Sequence, residues 1–242
     1  MSQIADNIQQ VRETVAEACA RVGRDPAQVT LVAVSKRQPK EAVLAAAEAG
    51  VQHFGENRVE EASEKIPTVR PYLPETITWH MIGNIQSRKV KQLLPLFQVV
   101  QSVDRPKIAE KLSELAQEVG VRVPVLLEVN LSGEESKHGF AVAGWQKNAT
   151  IRSNFWEAVR SIAMLPNLEL RGLMTMAPFY DDKERTRPTF AGMVELQEAL
   201  RASMGLSLPD LSMGMTNDYP VAVEEGATII RVGTAIFGAR QY

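Results

Sequence analysis

The chain has 242 residues, 45% of them hydrophobic, enough apolar material for one large core, so a single α/β domain spanning residues 1–242 is expected. Its 27 Lys and Arg against 29 Asp and Glu leave a net charge of -2, and no basic field argues for nucleic acid or an anionic membrane surface. The one cysteine, Cys19, rules out an intrachain disulfide, and no charged-then-apolar leader or long apolar run marks secretion or insertion, so a cytoplasmic protein is expected.

Residues 2–22 place Ile4, Ile8, Val11, Val15, Ala18 and Val22 on one face. That spacing predicts an amphipathic helix, closed by Gly23 and covering an open end or flank of the fold. Cys19 lies one step off this face, in no basic or helix-start context, and reads as a small buried thiol rather than a nucleophile.

The stretch VTLVAVSK, Val29 to Lys36, reads as a buried strand that delivers one amine to its C-terminal tip. Gln38-Pro39 then turns the chain into an Ala-rich helix with Pro39 at its first position and Gly50 just past its end. The alternation repeats. VQHF precedes a helix from Glu56; ITWHMIG precedes SRKVKQLL; FQVVQSV precedes a helix whose stripe is Ile108, Leu112, Leu115 and Val119. VPVLLEVN, LELRGLM, a short strand near Leu211 and ATIIRVG complete eight strands. Eight β/α units in a chain of about 250 residues predict a closed (β/α)8 barrel of the TIM type with an extra N-terminal helix. A doubly wound sheet is the alternative, but no Gly-rich dinucleotide fingerprint follows the first strand. Two segments break the regularity. Ser132 to Phe140 is a loop at the C-terminal end of strand five, and Ala141 to Asn154 adds an extra stretch, carrying Trp145, before the helix of Phe155, Val159 and Ile162. Pro188 predicts a late start or a kink in the sixth helix.

In a barrel, the loops after strands seven and eight commonly hold phosphate, because backbone N–H groups converge there. Strand seven ends in LSMGMTND, with Ser212 as a hydroxyl and Gly214 permitting close backbone approach before a helix near Asn217 or Asp218. Strand eight ends in RVGTAIFG, where Gly233 and Thr234 offer amides and a hydroxyl. In a closed barrel strand one neighbours strand eight, so Lys36 meets this cradle. A lysine beside a phosphate site suggests either an aldolase-type Schiff base with a sugar phosphate or an aldimine with pyridoxal phosphate. On its strand alone Lys36 reads as a surface lysine, and only what converges on it argues for a role. Arg231 is either a salt-bridged barrel residue or, if inward, a donor to a pyridine nitrogen. His53, His80 and His138 fall on three different units with no i,i+4 pair, so a metal site is not expected. Lys137, beside His138, reads as a solvated loop lysine or as a second acceptor of an aldehyde at the same mouth.

The segments AVSK, HFGENRVEE, WHMIGNIQSRKVK, VNLSGEESKHGF, LRGLMTMAPF, LSMGMTNDY and GATIIRVGTAIFGAR follow one another from Val29 to Arg240. Together they resemble the pyridoxal phosphate homeostasis protein family, which is similar in fold to the barrel domain of alanine racemases. The resemblance implies that Lys36 forms the aldimine, that Ser212, Gly233 and Thr234 hold the phosphate, that Arg231 faces the pyridine nitrogen and that Asn57 lies near the ring. It implies a monomeric carrier of pyridoxal phosphate without catalytic residues, with apoenzymes that use this cofactor as recipients. The alternative is a racemase-like enzyme. Because the sequence ends at Tyr242, soon after strand eight, no further domain is expected to supply an acid-base group across the cofactor, which favours the carrier.

Overall fold

A computed structural model describes residues 2–134 and 137–238. Glu135 and Ser136 of the loop after strand five, and the terminal Arg240 and Tyr242, lie outside the described residues. Eight parallel strands close on themselves: β1 (Thr30–Val34), β2 (His53–Glu56), β3 (Thr78–Met81), β4 (Val99–Val103), β5 (Val123–Asn130), β6 (Leu168–Met174), β7 (Asp210–Ser212) and β8 (Ile229–Val232). β1 pairs with both β2 and β8, and β4 pairs with β5, so the ring is complete and leaves no open edge. The expected (β/α)8 barrel is therefore the fold. Phe140–Ala141 adds a two-residue strand outside it, on the tip of β5.

The helices are α1 (Gln3–Arg21), α2 (Lys40–Glu48), α3 (Val59–Val69), α4 (Pro106–Val119), α5 (Ala149–Ala163), α6 (Arg187–Met204), α7 (Tyr219–Glu224) and α8 (Thr234–Phe237). Several boundaries differ from expectation, each for a local reason. Pro39 is the N-cap of α2 rather than its first residue, and α3 begins at Val59 because Glu56 is still in β2. The third crossover is a 3-10 helix, Ser87–Gln92. α4 turns Ile108, Ala109, Leu112 and Ala116 inward, which leaves Val119 61% exposed. α5 starts at Ala149, where the Asn148 side chain accepts hydrogen bonds from the amides of Thr150 and Ile151, so less of the extra stretch is irregular than expected. Pro188 occupies the second position of α6, after a 3-10 turn over Lys183–Thr186: the late start, not the kink.

Two apolar regions hold the fold. The larger fills the space between the strands and the helices and includes Ala33, Phe54, Leu127, Leu173, Leu211 and Ile230. The smaller comprises Val32, Leu126, Met174 and Ile229. Successive strand residues face opposite ways, so the smaller set marks the lumen, and residues two positions on share it. Val34, Glu128, Met176 and Arg231 thus rise toward the C-terminal mouth above an apolar floor. α1 packs on α2, α7 and α8 and buries Ile8, Val11, Val15, Ala18 and Cys19; Val22, expected on that face, is exposed. With Pro26, Thr30, Leu31, Gln52, His53 and Ile230 this helix encloses a cavity of about 460 Å³ at the opposite, N-terminal end of the barrel.

Candidate functional site

Lys36 stands two residues beyond the end of β1, half-buried at the C-terminal mouth. The backbone on either side of it is fastened. Ser35 donates its amide to Gly55 O at 3.0 Å and its hydroxyl to Glu56 Oε1 at 2.7 Å. Lys65 of α3 donates to Ser35 O at 2.7 Å, to Glu56 at 2.9 Å and to Glu61 at 2.8 Å. Glu61 in turn accepts the Arg37 amide. Arg37 has φ of 60°, an uncommon conformation for a non-glycine residue that these bonds hold in place. Burial raises the Glu56 pKa against the pull of Lys65. The amine of Lys36 is thus carried on a backbone that three buried or part-buried charged side chains brace.

Gly233 and Thr234 lie beside this tip, as expected from the pairing of Ala33 with Val232. A Cβ on Gly233 would sit 3.4 Å from both Cβ and O of Val34. The β7 loop joins them from the other side: Arg231 donates its amide to Gly214 O at 3.0 Å, and the Ala235 amide donates to Thr216 Oγ1 at 3.3 Å. Gly214 has φ of +93°, and a Cβ there would meet Ala222 Cβ at 2.6 Å, so only glycine closes this loop against α7. The hydroxyl of Ser212, expected to serve a phosphate, faces the lumen and meets two side chains there. It is fully buried, donates to Gln101 Oε1 at 2.6 Å and accepts from Arg231 Nη1 at 2.5 Å. Thr216, which the sequence reading passed over, is the half-buried hydroxyl that this loop brings to Ala235.

Arg231 points inward. Among the described residues no carboxylate lies within salt-bridge distance of it; it donates to Ser212 and, through Nη2 at 2.8 Å, to Thr175 O. Burial lowers its pKa to about 10, opposed by the charges of Glu128 and Asp218, so it remains a cation at neutral pH. Below it runs a continuous polar line: Gln101 Nε2 lies 2.9 Å from His80 Nδ1, and His80 Nε2 lies 3.0 Å from His53 Nδ1. Burial and the neighbouring His53 push the His80 pKa down to about 3.

Across the mouth, Asn57 and Glu128 line a cavity of about 580 Å³ together with Gly83, Asn84, His138 and Met176. Asn57 is pressed against Gly83, where a Cβ would fall 2.2 Å from Asn57 O. Both Asn57 Oδ1 and Glu128 Oε2 are buried without a hydrogen-bond partner among the described residues. Burial raises the Glu128 pKa to about 7, with Asp104 adding to the rise and Arg231 opposing it. Sequence reading missed Glu128, because its place two residues after a lumen-facing Leu126 becomes visible only in the closed barrel. Lys137 is held by Glu134 at 2.5 Å and by Met176 O at 3.1 Å. Among the described residues no group of three or more His, Cys, Asp or Glu could hold a metal ion, and no helix is long and apolar enough to cross a membrane.

The barrel is of the alanine racemase N-terminal domain class: the profile of that family matches residues 1–241. An alanine racemase from Clostridium difficile superposes with a TM-score of 0.70 at 14% identity, covering 98% of this chain and 58% of that one, a likeness of fold alone. Two relatives named Pyridoxal phosphate homeostasis protein are much nearer in sequence: one from Pseudomonas aeruginosa, 44% identical over 100% of this chain and 98% of its own, and one from Aquifex aeolicus, 35% identical over 98% of each. The structure of PipY from Synechococcus elongatus with PLP bound superposes with a TM-score of 0.81 at 35% identity, covering 97% of this chain and all of that one. The chain belongs to the pyridoxal phosphate homeostasis protein family.

Proposed function

We propose that this protein binds pyridoxal phosphate at the mouth of its barrel, holds it as an aldimine on Lys36, and acts as a cytoplasmic monomer that keeps and hands on the cofactor to apoenzymes without turning over amino acids. The observation that carries the reading is the convergence of Lys36, the Gly233–Thr234 loop and the inward cation Arg231 on one side of the mouth. The residues fit the cofactor. Gly233, Thr234 and Thr216 offer amides and hydroxyls to a phosphate, with Ser212 supporting from below through Arg231. The unpartnered Asn57 Oδ1 supplies an acceptor beside the ring. When bound, pyridoxal phosphate supplies an aldehyde that condenses with a primary amine and a ring that withdraws electrons best when its nitrogen is protonated.

Arg231 sets the balance between carrier and enzyme. A cation with only donors offers a hydrogen bond to the ring nitrogen and disfavours a proton there, which weakens the ring as an electron sink. Glu128 favours a second, racemase-like reading, because a carboxyl whose pKa is raised to about 7 at the mouth is suited to proton transfer. Two measurements test the proposal. Borohydride reduction of the pyridoxal phosphate-loaded protein, followed by peptide mapping, should place the label on Lys36; a label on Lys137 in the resting protein would sink the assignment. Exchange of amino acid α-protons in deuterated water, followed by NMR, should be no faster with the loaded protein than with its Lys36→Ala variant. Rapid Lys36-dependent exchange would instead establish the racemase-like reading.

A further inference from the structure

The polar line beneath the mouth crosses a barrel interior that branched aliphatic side chains ordinarily fill. Its members come from five strands. His53 lies in register with Val32, His80 with Val99, and Ser212 with Met174 and Ile229, while Gln101 and Arg231 sit two residues beyond lumen positions on their own strands. All five therefore share the inner face.

The direction of every hydrogen bond along it follows from one fixed end. Arg231 has no acceptor, so the Ser212 oxygen must accept from it, and the single Ser212 proton goes to Gln101 Oε1. That contact turns the Gln101 amide nitrogen toward His80 Nδ1, which must then be unprotonated. His80 carries its proton on Nε2 and donates to His53 Nδ1. Each group has one allowed orientation, and the central one, Gln101, must accept on one side and donate on the other through a single rigid amide.

We propose that Gln101 is a positioning residue: through Ser212 it fixes the guanidinium of Arg231 at the height and angle needed to meet a ring nitrogen above it, while His80 and His53 lock the Gln101 amide against flipping. This role deepens the proposed function and rests on it for the identity of the ring. With Gln101→Leu, Ser212 loses its acceptor, its proton competes for other partners, and the hydroxyl that accepts from Arg231 is no longer fixed in direction.

Two arms test this. In the first, dissociation constants are measured for pyridoxal phosphate and for its 1-deaza analogue, whose ring carries C–H in place of nitrogen. Wild type should prefer the nitrogen-bearing ring, and Gln101→Leu should cut that preference by about tenfold, the scale of one hydrogen bond to a charged group. Gln101→Leu added to Arg231→Leu should cause no further change in the ratio, and Gln101→Glu, which keeps an acceptor for Ser212, should restore most of it. A merely structural role would weaken both ligands alike, and equal losses overturn the proposal. In the second arm, ¹⁵N NMR of the ligand-free protein should show His80 protonated on Nε2 only, and Gln101→Leu should mix its tautomers. Mixed tautomers in the wild type overturn the proposal whatever the ligands do. Ordered tautomers in a wild type that binds neither ligand would overturn the pyridoxal phosphate reading instead, and with it the role of Arg231 as a donor to the ring.

Discussion

Replacing Glu128 by Gln isolates the cost of placing a carboxylate at the mouth. The residue is 3% exposed, one of its oxygens has no partner among the described residues, and Asp104 adds repulsion that Arg231 only partly offsets. A folded-state pKa raised above the unfolded value means that the unfolded chain gives up its proton first as pH rises. The native state is then fully favoured below the unfolded pKa and loses stability until pH passes the folded one. From 4.5 to about 7, at about 1.4 kcal/mol per pH unit, the full loss is about 3.5 kcal/mol, part of it already incurred by about pH 5. Gln keeps the shape and removes the titration, and any cost of its own unpaired amide, about 1–3 kcal/mol, does not vary with pH. Urea unfolding of both proteins at about pH 5 and about pH 8.5 should therefore show the stability difference moving in favour of Gln by ~2–3 kcal/mol on going to the higher pH. Contributions from His53 and His80 run the other way with pH but cancel in the comparison. A difference that stays constant across this range would refute the argument, and would mean that water or a counter-charge reaches Glu128.

The loop pair after β7 and β8 makes a second prediction: Thr216→Val with Thr234→Ala should weaken pyridoxal phosphate by about tenfold or more while leaving pyridoxal nearly unchanged, because charge-assisted hydrogen bonds to the phosphate are what these hydroxyls supply. Equal losses for both ligands, measured by fluorescence titration, would place the phosphate elsewhere. A third concerns His80, whose pKa burial lowers to about 3. Between its ordinary value of 6.5 and about 3 the unfolded chain binds a proton that the native state refuses, so stability should fall by about 1.4 kcal/mol per pH unit as the solution is acidified. Imidazole NMR at about pH 5 should still find His80 neutral; a protonated ring there would mean that the line through the lumen is open to water.

Much of the architecture was legible because the strands carry their own signal. TLVAV is apolar on both faces, and IIRV departs from that only at Arg231, as strands covered by helices on one side and a packed lumen on the other do. The eight-fold count followed from those runs. Helix boundaries were less legible where the residue that caps a helix also ends something else: Glu56 looks like a first-turn acid, yet it is the buried end of β2 paired to Lys65. The third crossover failed for a different reason. SRKVKQ has helical composition, but within the connection between β3 and β4 only these six residues wind up, and they do so as a 3-10 helix.

The site was legible at its ends and not in its middle. Lys36, Gly233 and Thr234 announce themselves because a lysine or a glycine at a strand tip breaks an apolar run. The sequence shows Ser212 and Thr216 as two hydroxyls in one loop but not that the first faces the lumen while the second meets the Ala235 amide. Gln101 and Glu128 were hidden because a single polar residue inside an apolar strand looks the same whether it faces helices or lumen; register alone decides that, and register is a tertiary property.

That polar line bears on why the lumen is not filled by aliphatic side chains throughout. Arg231, Ser212, Gln101 and His80 are nearly or fully buried, and a hydrogen-bonded polar set of this kind is commonly no more stabilising than aliphatic residues of the same volume. Its distinctive property is orientation. A guanidinium held by Thr175 O alone could rotate, whereas one held also by Ser212, itself held by Gln101, presents its remaining N–H groups in one direction. Under the proposed function that direction is the ring nitrogen, and a fixed donor there keeps the nitrogen unprotonated while the aldehyde end stays free to react with an amine. A carrier needs this combination: an electrophile that condenses reversibly with lysine, on a ring denied the proton that would let it labilise whatever amine it meets.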